Sequence, residues 1–199
     1  MSDPEGVIKF KLHWEETNLL PFDLDDFNHW RVHLKEAGLI GVEDGIGFGN
    51  ISIRLDQERF LITGTQTGHL ESLTENDFAI VTQVHLETNE LWAEGPAKPS
   101  AESMTHAAVY QASPQTGAVI HGHHQKLWDS ARSNWLITPP DLTYGTPAMA
   151  EAVITIAKQA GGFGHLAMAG HEGGVLVWAT GLEQASKFLQ DQVASLSTE

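Results

Sequence analysis

Apolar and polar residues alternate through VIKFKLHW (7–14), the period of two that marks a strand. The period changes after Pro21. Phe27, Trp30, Leu34 and Ala37 recur at helical spacing, with Asp23 as the expected N-cap, Asp26 three residues on, and Gly38 and Gly41 as the stop. GIGFGN (45–50) reads as a glycine-rich turn that feeds a hairpin, ISIRL (51–55) and RFLIT (59–63) across DQE. The polar stretch 64–77 reads as a loop or helical turn, and FAIVTQVHL (78–86) and LWAEG (91–95) as strands. After the loop PAKPS (96–100), Ser100 is positioned to cap a helix from about Ala101 to Gln111. AVIHGHH (118–124) has the look of a buried strand ending in histidines, and 125–143 of an irregular connection. A helix then starts at Pro147, with Ala150, Val153, Ile154 and Ala157 as its apolar stripe. GHLAMAG (164–170) and GVLVWAT (174–180) read as strands, and 181–196 as a last helix with Leu182, Ala185, Phe188, Leu189 and Val193 inward.

This order lacks a clean βαβ rhythm, and its hairpin is antiparallel. The expected architecture is an α/β layered domain, a mixed or antiparallel sheet covered by helices. The 199 residues correspond to one domain, with 1–22 as an N-terminal extension.

Charge narrows the partners. Acidic residues number 26 and basic ones 11, a formal net charge of −15. Nucleic acid and anionic membrane surfaces both demand a basic face, so neither is expected as a partner. The apolar runs are too short for a membrane span, and MSDPEGVIKF lacks the pattern of a signal peptide, so the cytoplasm is the expected compartment. Cysteine is absent, which confines any transition-metal site to histidine and carboxylate. Histidine occurs 11 times, as often as Lys and Arg together.

His121 and His123 sit two apart in a strand-like run, which points both imidazoles to one face. A surface pair at a strand end has the same spacing. His171 lies in GHEGG, where flanking glycines free it to turn toward a cleft, as they would an ordinary turn histidine. Glu102 opens a predicted helix, where a carboxylate also favours the helix dipole, and His106 follows it by one turn. That E-x3-H pair suits either a metal or a structural hydrogen bond. Three histidines and one carboxylate form a usual donor set for catalytic zinc, a Lewis acid for carbonyl or hydroxyl oxygens. GFGNIS (47–52) and TGTQTGHL (63–70) are small-residue loops whose backbone N–H groups suit an anion, with Ser100 at a helix N-terminus as a third candidate. Two glycine-rich β-turns would look the same, and neither loop matches a nucleotide-binding motif.

The ordered set GNIS (49–52), FLITGTQTG (60–68), LTEND (73–77), PSAE followed by His106, AVIHGH (118–123), YGT (144–146), GH (170–171) and GLEQA (181–185) resembles the class II aldolase/adducin family. The resemblance covers about residues 25–190. It implies a three-layer α/β/α domain around a mainly antiparallel sheet, and a homotetramer with active sites between subunits. By the family pattern the metal ligands fall on His121, His123 and His171, and Glu102 on the general acid/base. Gly49, Asn50, Thr67, Gly68 and Ser100 fall on the positions that cradle the substrate phosphate. The implied cofactor is Zn2+, with Mn2+ or Co2+ as other divalent choices. The implied activity is that of a lyase in carbohydrate metabolism, cleaving a small hydroxy-carbonyl or sugar-phosphate-like substrate through a metal-stabilised enediolate. Epimerisation, dehydration or decarboxylation in the same site, and a non-catalytic assembly domain like the adducin head, are the alternatives.

The sequence departs from the aldolases at four places. Ala101 stands where many members have a second serine, removing a hydroxyl worth about 1.5–3 kcal/mol to a bound anion. The stretch from His123 to Tyr144 is short and lacks the aldolases' proton-donating tyrosine. Glu172 follows His171 where glycine is common, and the chain stops soon after its last helix. Trp128 and Trp135 in the short connection are candidates to line the cleft, and His106 and His124 to orient the ligands.

Overall fold

The structure, a computed structural model, describes residues 6–196. Among these residues the helices are α1 (Asp25–Glu36), α2 (Ser103–Ala112), α3 (Gln125–Asn134), α4 (Pro147–Ala160) and α5 (Leu182–Ser195). The strands are β1 (Lys11–Glu15), β2 (Gly41–Glu43), β3 (Ile46–Phe48), β4 (Asn50–Arg54), β5 (Phe60–Thr63), β6 (Phe78–His85), β7 (Glu90–Glu94), β8 (Ala118–His123), β9 (Leu136–Ile137), β10 (Gly164–Ala167) and β11 (Gly174–Ala179). Nine of the strands form one sheet in the order β1-β7-β6-β5-β4-β8-β11-β10-β9. The pairs β1–β7 and β9–β10 are parallel and all the others antiparallel.

Strand alternation sorts the core into two layers. Phe60, Ile62, Val119, Leu176 and Trp178 project to the face covered by α2 and α4, where they meet Met104, Ala108, Met149 and Val153. Their neighbours Leu61, Ile120, Val175 and Val177 project to the other face, against Phe27 and Leu34 of α1, Leu127 of α3 and Leu189 of α5. A sheet buried on both faces requires the near-continuous apolar runs seen in β8 and β11. This is the expected three-layer α/β/α fold with a mainly antiparallel sheet.

Several local expectations are corrected. The stretch 125–143 is not irregular: its first half is α3, whose His124 Nδ1 accepts the Leu127 N–H, followed by the edge strand β9. GIGFGN contributes β3, paired with β2 across a tight turn in which Asp44 and Gly45 both have positive φ. Asp23 accepts the Asp25 N–H but does not cap α1, which starts after Leu24. Ser100 accepts the Glu102 N–H but lies three residues before α2 begins, where Glu102 holds the N-cap position. Gly38 ends α1 as expected, in a left-handed conformation, with the Leu39 N–H returning to the Leu34 carbonyl. The expected extension 1–22 supplies β1, which lies along β7 at the sheet edge; its first five residues fall outside the described ones. No helix among the described residues is long and apolar enough to cross a membrane.

Arg31 of α1 is only 1% exposed and pins the loop after β5. Its guanidinium donates to the Thr67, Leu70 and Glu71 carbonyls at 2.8, 2.9 and 3.3 Å. Arg31→Met keeps the stem but removes these three hydrogen bonds, leaving the Leu70 carbonyl to Lys35 Nζ and the Thr67 carbonyl to the Leu70 N–H. It is expected to lower unfolding free energy by about 2–3 kcal/mol, read from the urea midpoint at unchanged slope.

Candidate metal centre

β8 lies in the middle of the sheet, between β4 and β11. At its end His121 pairs in register with Asn50 on one side and Leu176 on the other, and His123 with Gly174. Both imidazoles project to the α2 face. His171 comes from the turn between β10 and β11, where its N–H donates to the Met168 carbonyl and its own carbonyl accepts the Gly174 N–H. Glycines make room for the rings. A Cβ on Gly174 would stand 2.7 Å from His171 Cδ2 and 3.2 Å from His121 Cε1, and one on Gly170 would strike the Leu142 carbonyl at 1.9 Å. Any side chain at either position displaces the turn that carries His171.

The three Nε2 atoms converge. His123 Nε2 lies 3.1 Å from that of His121 and 3.0 Å from that of His171. Glu102, just before α2 and 1% exposed, places Oε1 at 3.4 Å from His171 Nε2 and 3.9 Å from His121 Nε2. The Thr105 hydroxyl donates to its other oxygen at 2.6 Å and fixes the carboxylate's rotation. A tetrahedral ion with bonds of about 2.0–2.1 Å spaces its ligand atoms roughly 3.3 Å apart, so these four side chains fit one divalent cation. Protonation agrees. Burial, then the neighbouring imidazoles, holds His121 well below its ordinary value, and burial alone takes His123 down to about 4. Burial, then His123 and Lys9, depresses His171 likewise. Neutral imidazoles are the ligand form.

Next to this cluster is a small pocket lined by Gly49, Asn50, Ser100, Ala101, Glu102, Gly64, Thr65 and Gln66, with Gly6 and Gly47 at its edge. Gly49 has φ +77° and packs against the Leu39 carbonyl, where a Cβ would be 2.7 Å away. Of the expected anion positions, Gly49, Asn50 and Ser100 line the pocket. Thr67 and Gly68 do not. The Thr67 hydroxyl donates to the Gly64 carbonyl, and Gly68 is pressed on the backbone of Gly41 and Phe48. Thr65 and Gln66 occupy the lining in their place.

Other expectations separate. His106 turns away from the histidine cluster, toward Asn50 and Ser52. His124 caps α3 with its side chain, and its backbone N–H donates to the Gly173 carbonyl of the turn that carries His171. Trp128 donates to the Met168 carbonyl inside the core, and Trp135 stacks on His165, so neither lines the cleft. Two more groups stand beside the cluster: Tyr144, noted in the sequence only as part of the YGT motif, and Lys9, which gave no signal. The Tyr144 ring is 4.7 Å from that of His171, and Lys9 Nζ lies 3.7 Å over the Tyr144 ring. The Val7 N–H donates to the Tyr144 hydroxyl at 3.3 Å. Strand alternation near Lys9 carries no hint of a site 160 residues away. Thr105, one turn after Glu102, was legible as a helical neighbour.

The family model of the class II aldolase and adducin N-terminal domain matches residues 40–192, and the chain belongs to that family. Among similar proteins is the methylthioribulose-1-phosphate dehydratase of Serratia proteamaculans, 42% identical over 77 residues, which are 38% of this chain and 34% of that one. The 3-oxo-tetronate 4-phosphate decarboxylase of Haemophilus influenzae is 36% identical over 81 residues, 41% of this chain and 35% of that one. The match thus spans about a third of the length of these curated relatives. The fold is that of the L-fuculose-1-phosphate aldolase of Thermus thermophilus, with a TM-score of 0.63 at 20% identity over 86% of this chain and 89% of that one.

His106 is fully buried, and burial lowers its pKa from 6.5 to about 3. Between those values the unfolded chain binds a proton that the folded one refuses, so folding stability falls as pH drops from 6.5 toward 3. At pH 5 this one group accounts for about 2 kcal/mol of lost stability. Urea titrations at pH 7 and pH 5 should show His106→Gln losing less on acidification than the unaltered protein.

Proposed function

We propose that the protein is a divalent-metal-dependent lyase of aldolase type, with Zn2+ as the first-choice ion, acting on a small hydroxy-carbonyl compound with an anionic end. The observation that carries this reading is the convergence of three neutral imidazoles and one carboxylate within a few ångströms of a glycine-lined pocket. Membership in the class II aldolase and adducin family supports it.

His121, His123 and His171 are the ligands in this reading. A bound divalent cation supplies Lewis-acid polarisation of a carbonyl and an adjacent hydroxyl. Gly49, Asn50 and Ser100 hold the anionic end, with Thr65 and Gln66 beside them, and so set the distance from that end to the reacting carbons. Glu102 moves the proton. Its Oε2 is occupied by the Thr105 hydroxyl, which leaves Oε1 turned to the imidazoles and the cleft. For cleavage, Glu102 would take the substrate hydroxyl proton as the carbon bearing it becomes a carbonyl and the carbon–carbon bond breaks, and would then deliver it to the carbon that keeps the electron pair. The depressed histidine pKa values keep the ligands unprotonated at neutral pH, and Ala101 adds no hydroxyl to the anion pocket. Because the chain's net charge is −15, anion affinity has to be local, from backbone N–H groups and these side chains. The working form in this reading is a cytoplasmic homo-oligomer, a tetramer by analogy with the family.

Dehydration or decarboxylation in the same site is a second reading. It is favoured by the dehydratase and the decarboxylase among the similar proteins, both named for phosphorylated substrates. These reactions share the metal and the enolate chemistry and differ in the acid/base groups.

Purified protein should hold about one zinc per chain by elemental analysis, and His123→Ala should lose it together with the thermal stabilisation that added zinc gives. Protein that takes up no divalent metal would sink the enzymatic reading in favour of an assembly domain. Glu102→Gln should retain the metal and lose at least a hundredfold in turnover, measured on a panel of phosphorylated and unphosphorylated hydroxy-ketones and hydroxy-acids.

A further inference from the structure

A chain of buried side chains runs from the anion pocket through the sheet-facing side of α2. Asn50 lines the pocket from β4 and is 6% exposed. Its Oδ1 is 2.7 Å from His106 Nε2, His106 Nδ1 is 2.7 Å from Ser52 Oγ, and Ser52 Oγ is 2.8 Å from the Tyr110 hydroxyl. Asn50 and Ser52 are two apart on one face of β4, and His106 and Tyr110 are four apart on one face of α2, so the two pairs meet in register. Arg54 anchors the far end. Its guanidinium stacks 4.6 Å from the Tyr110 ring and donates to the Tyr110, Ser113 and Thr116 carbonyls.

Donor and acceptor chemistry orders the protons. Burial raises the Tyr110 pKa, so the phenol keeps its proton. Burial keeps His106 neutral, so one ring nitrogen donates and the other accepts. With Tyr110 donating to Ser52, and Ser52 to His106 Nδ1, His106 carries its proton on Nε2 and donates to Asn50 Oδ1. Every hydroxyl and imidazole proton in the chain then has a protein acceptor, and the Asn50 amide is left with both N–H donors on the side of the pocket. The reverse order needs the amide turned over, with its carbonyl facing the pocket and the Tyr110 proton directed away from the chain. A carbonyl there would repel an anion, and two N–H groups attract one.

We propose that Tyr110, Ser52 and His106 are positioning residues that lock the Asn50 amide with its N–H donors toward the pocket and so select an oxyanion, a phosphate-type group, at that end of the substrate. This rests on the anion pocket of the proposed function and adds its selectivity device.

The test is calorimetric titration of the zinc-loaded protein with inorganic phosphate, beside zinc titrations of the same variants. His106→Leu should weaken phosphate roughly ten- to hundredfold, the range for a lost hydrogen bond to a charged group. Ser52→Ala should fall in the same direction, and Tyr110→Phe, which removes a single hydroxyl, should lose a fewfold. His106→Gln places an amide N–H toward Asn50 and should recover most of the affinity. Zinc affinity should be unchanged throughout, a split that general damage to the fold would not produce. Should His106→Leu fail to fold, Tyr110→Phe and Ser52→Ala carry the test. Variants that bind phosphate as tightly as the unaltered protein would overturn the relay, as would parallel loss of phosphate and zinc. If the unaltered protein bound no phosphate, or Ser100→Ala left binding unchanged, the anion pocket itself would be misplaced and the relay would fall with it.

Discussion

The governing constraint in this molecule is the crowding of three imidazoles at the end of β8. His123 Nε2 lies 3.0 and 3.1 Å from two other ring nitrogens inside a buried space. One ring nitrogen carries either a proton or a lone pair, so it cannot make two in-line hydrogen bonds there. A divalent cation among the three Nε2 atoms, with Glu102 beside it, would take up their lone pairs, the arrangement on which the proposed function is built. β8, the β10–β11 turn and the residues before α2 each bring one or two of those atoms to the same place.

The sheet makes that possible. Placing two ligands on a central strand, buried on both faces, fixes them far better than a loop would. The apolar alternation that builds the two core layers also decides which way the histidines point. Val119 packs under α2 and α4, so His121 and His123, in phase with it, emerge on the same side as Glu102. Glycines at 170 and 174 then let the β10–β11 turn fold His171 down onto them.

The pocket beside the histidines has a different origin. It is assembled from three separate backbone turns around Gly49, Gly64 and Ser100, and held from outside by buried polar side chains. Arg31 ties the loop that follows Thr65 and Gln66 to α1, and His106 fixes Asn50 from α2. Such polar groups are tolerated in the interior because each has a partner. Their geometry matters because a small displacement of Asn50 or Gln66 would change what the pocket accepts.

Periodicity alone identified most strands, four of the helices, the layered class and the His-x-His pair on one face. Each depends on neighbours within a few residues, which a linear pattern records. The pattern missed α3, because Gln125–Asn134 is polar enough to read as a connection and is held as a helix by packing Leu127, Trp128 and Ala131 on the sheet. The family resemblance pointed to Thr67 and Gly68, whereas Thr65 and Gln66 line the pocket beside the histidines, because the path of a glycine-rich loop is decided by what it packs on. The pattern gave no sign that Lys9 and Tyr144 flank His171, or that His106 serves Asn50 and not the metal ligands. Spacing along the chain fixes which side chains share a face. Only closure of the sheet, with elements a hundred residues apart brought into contact, decides which faces meet.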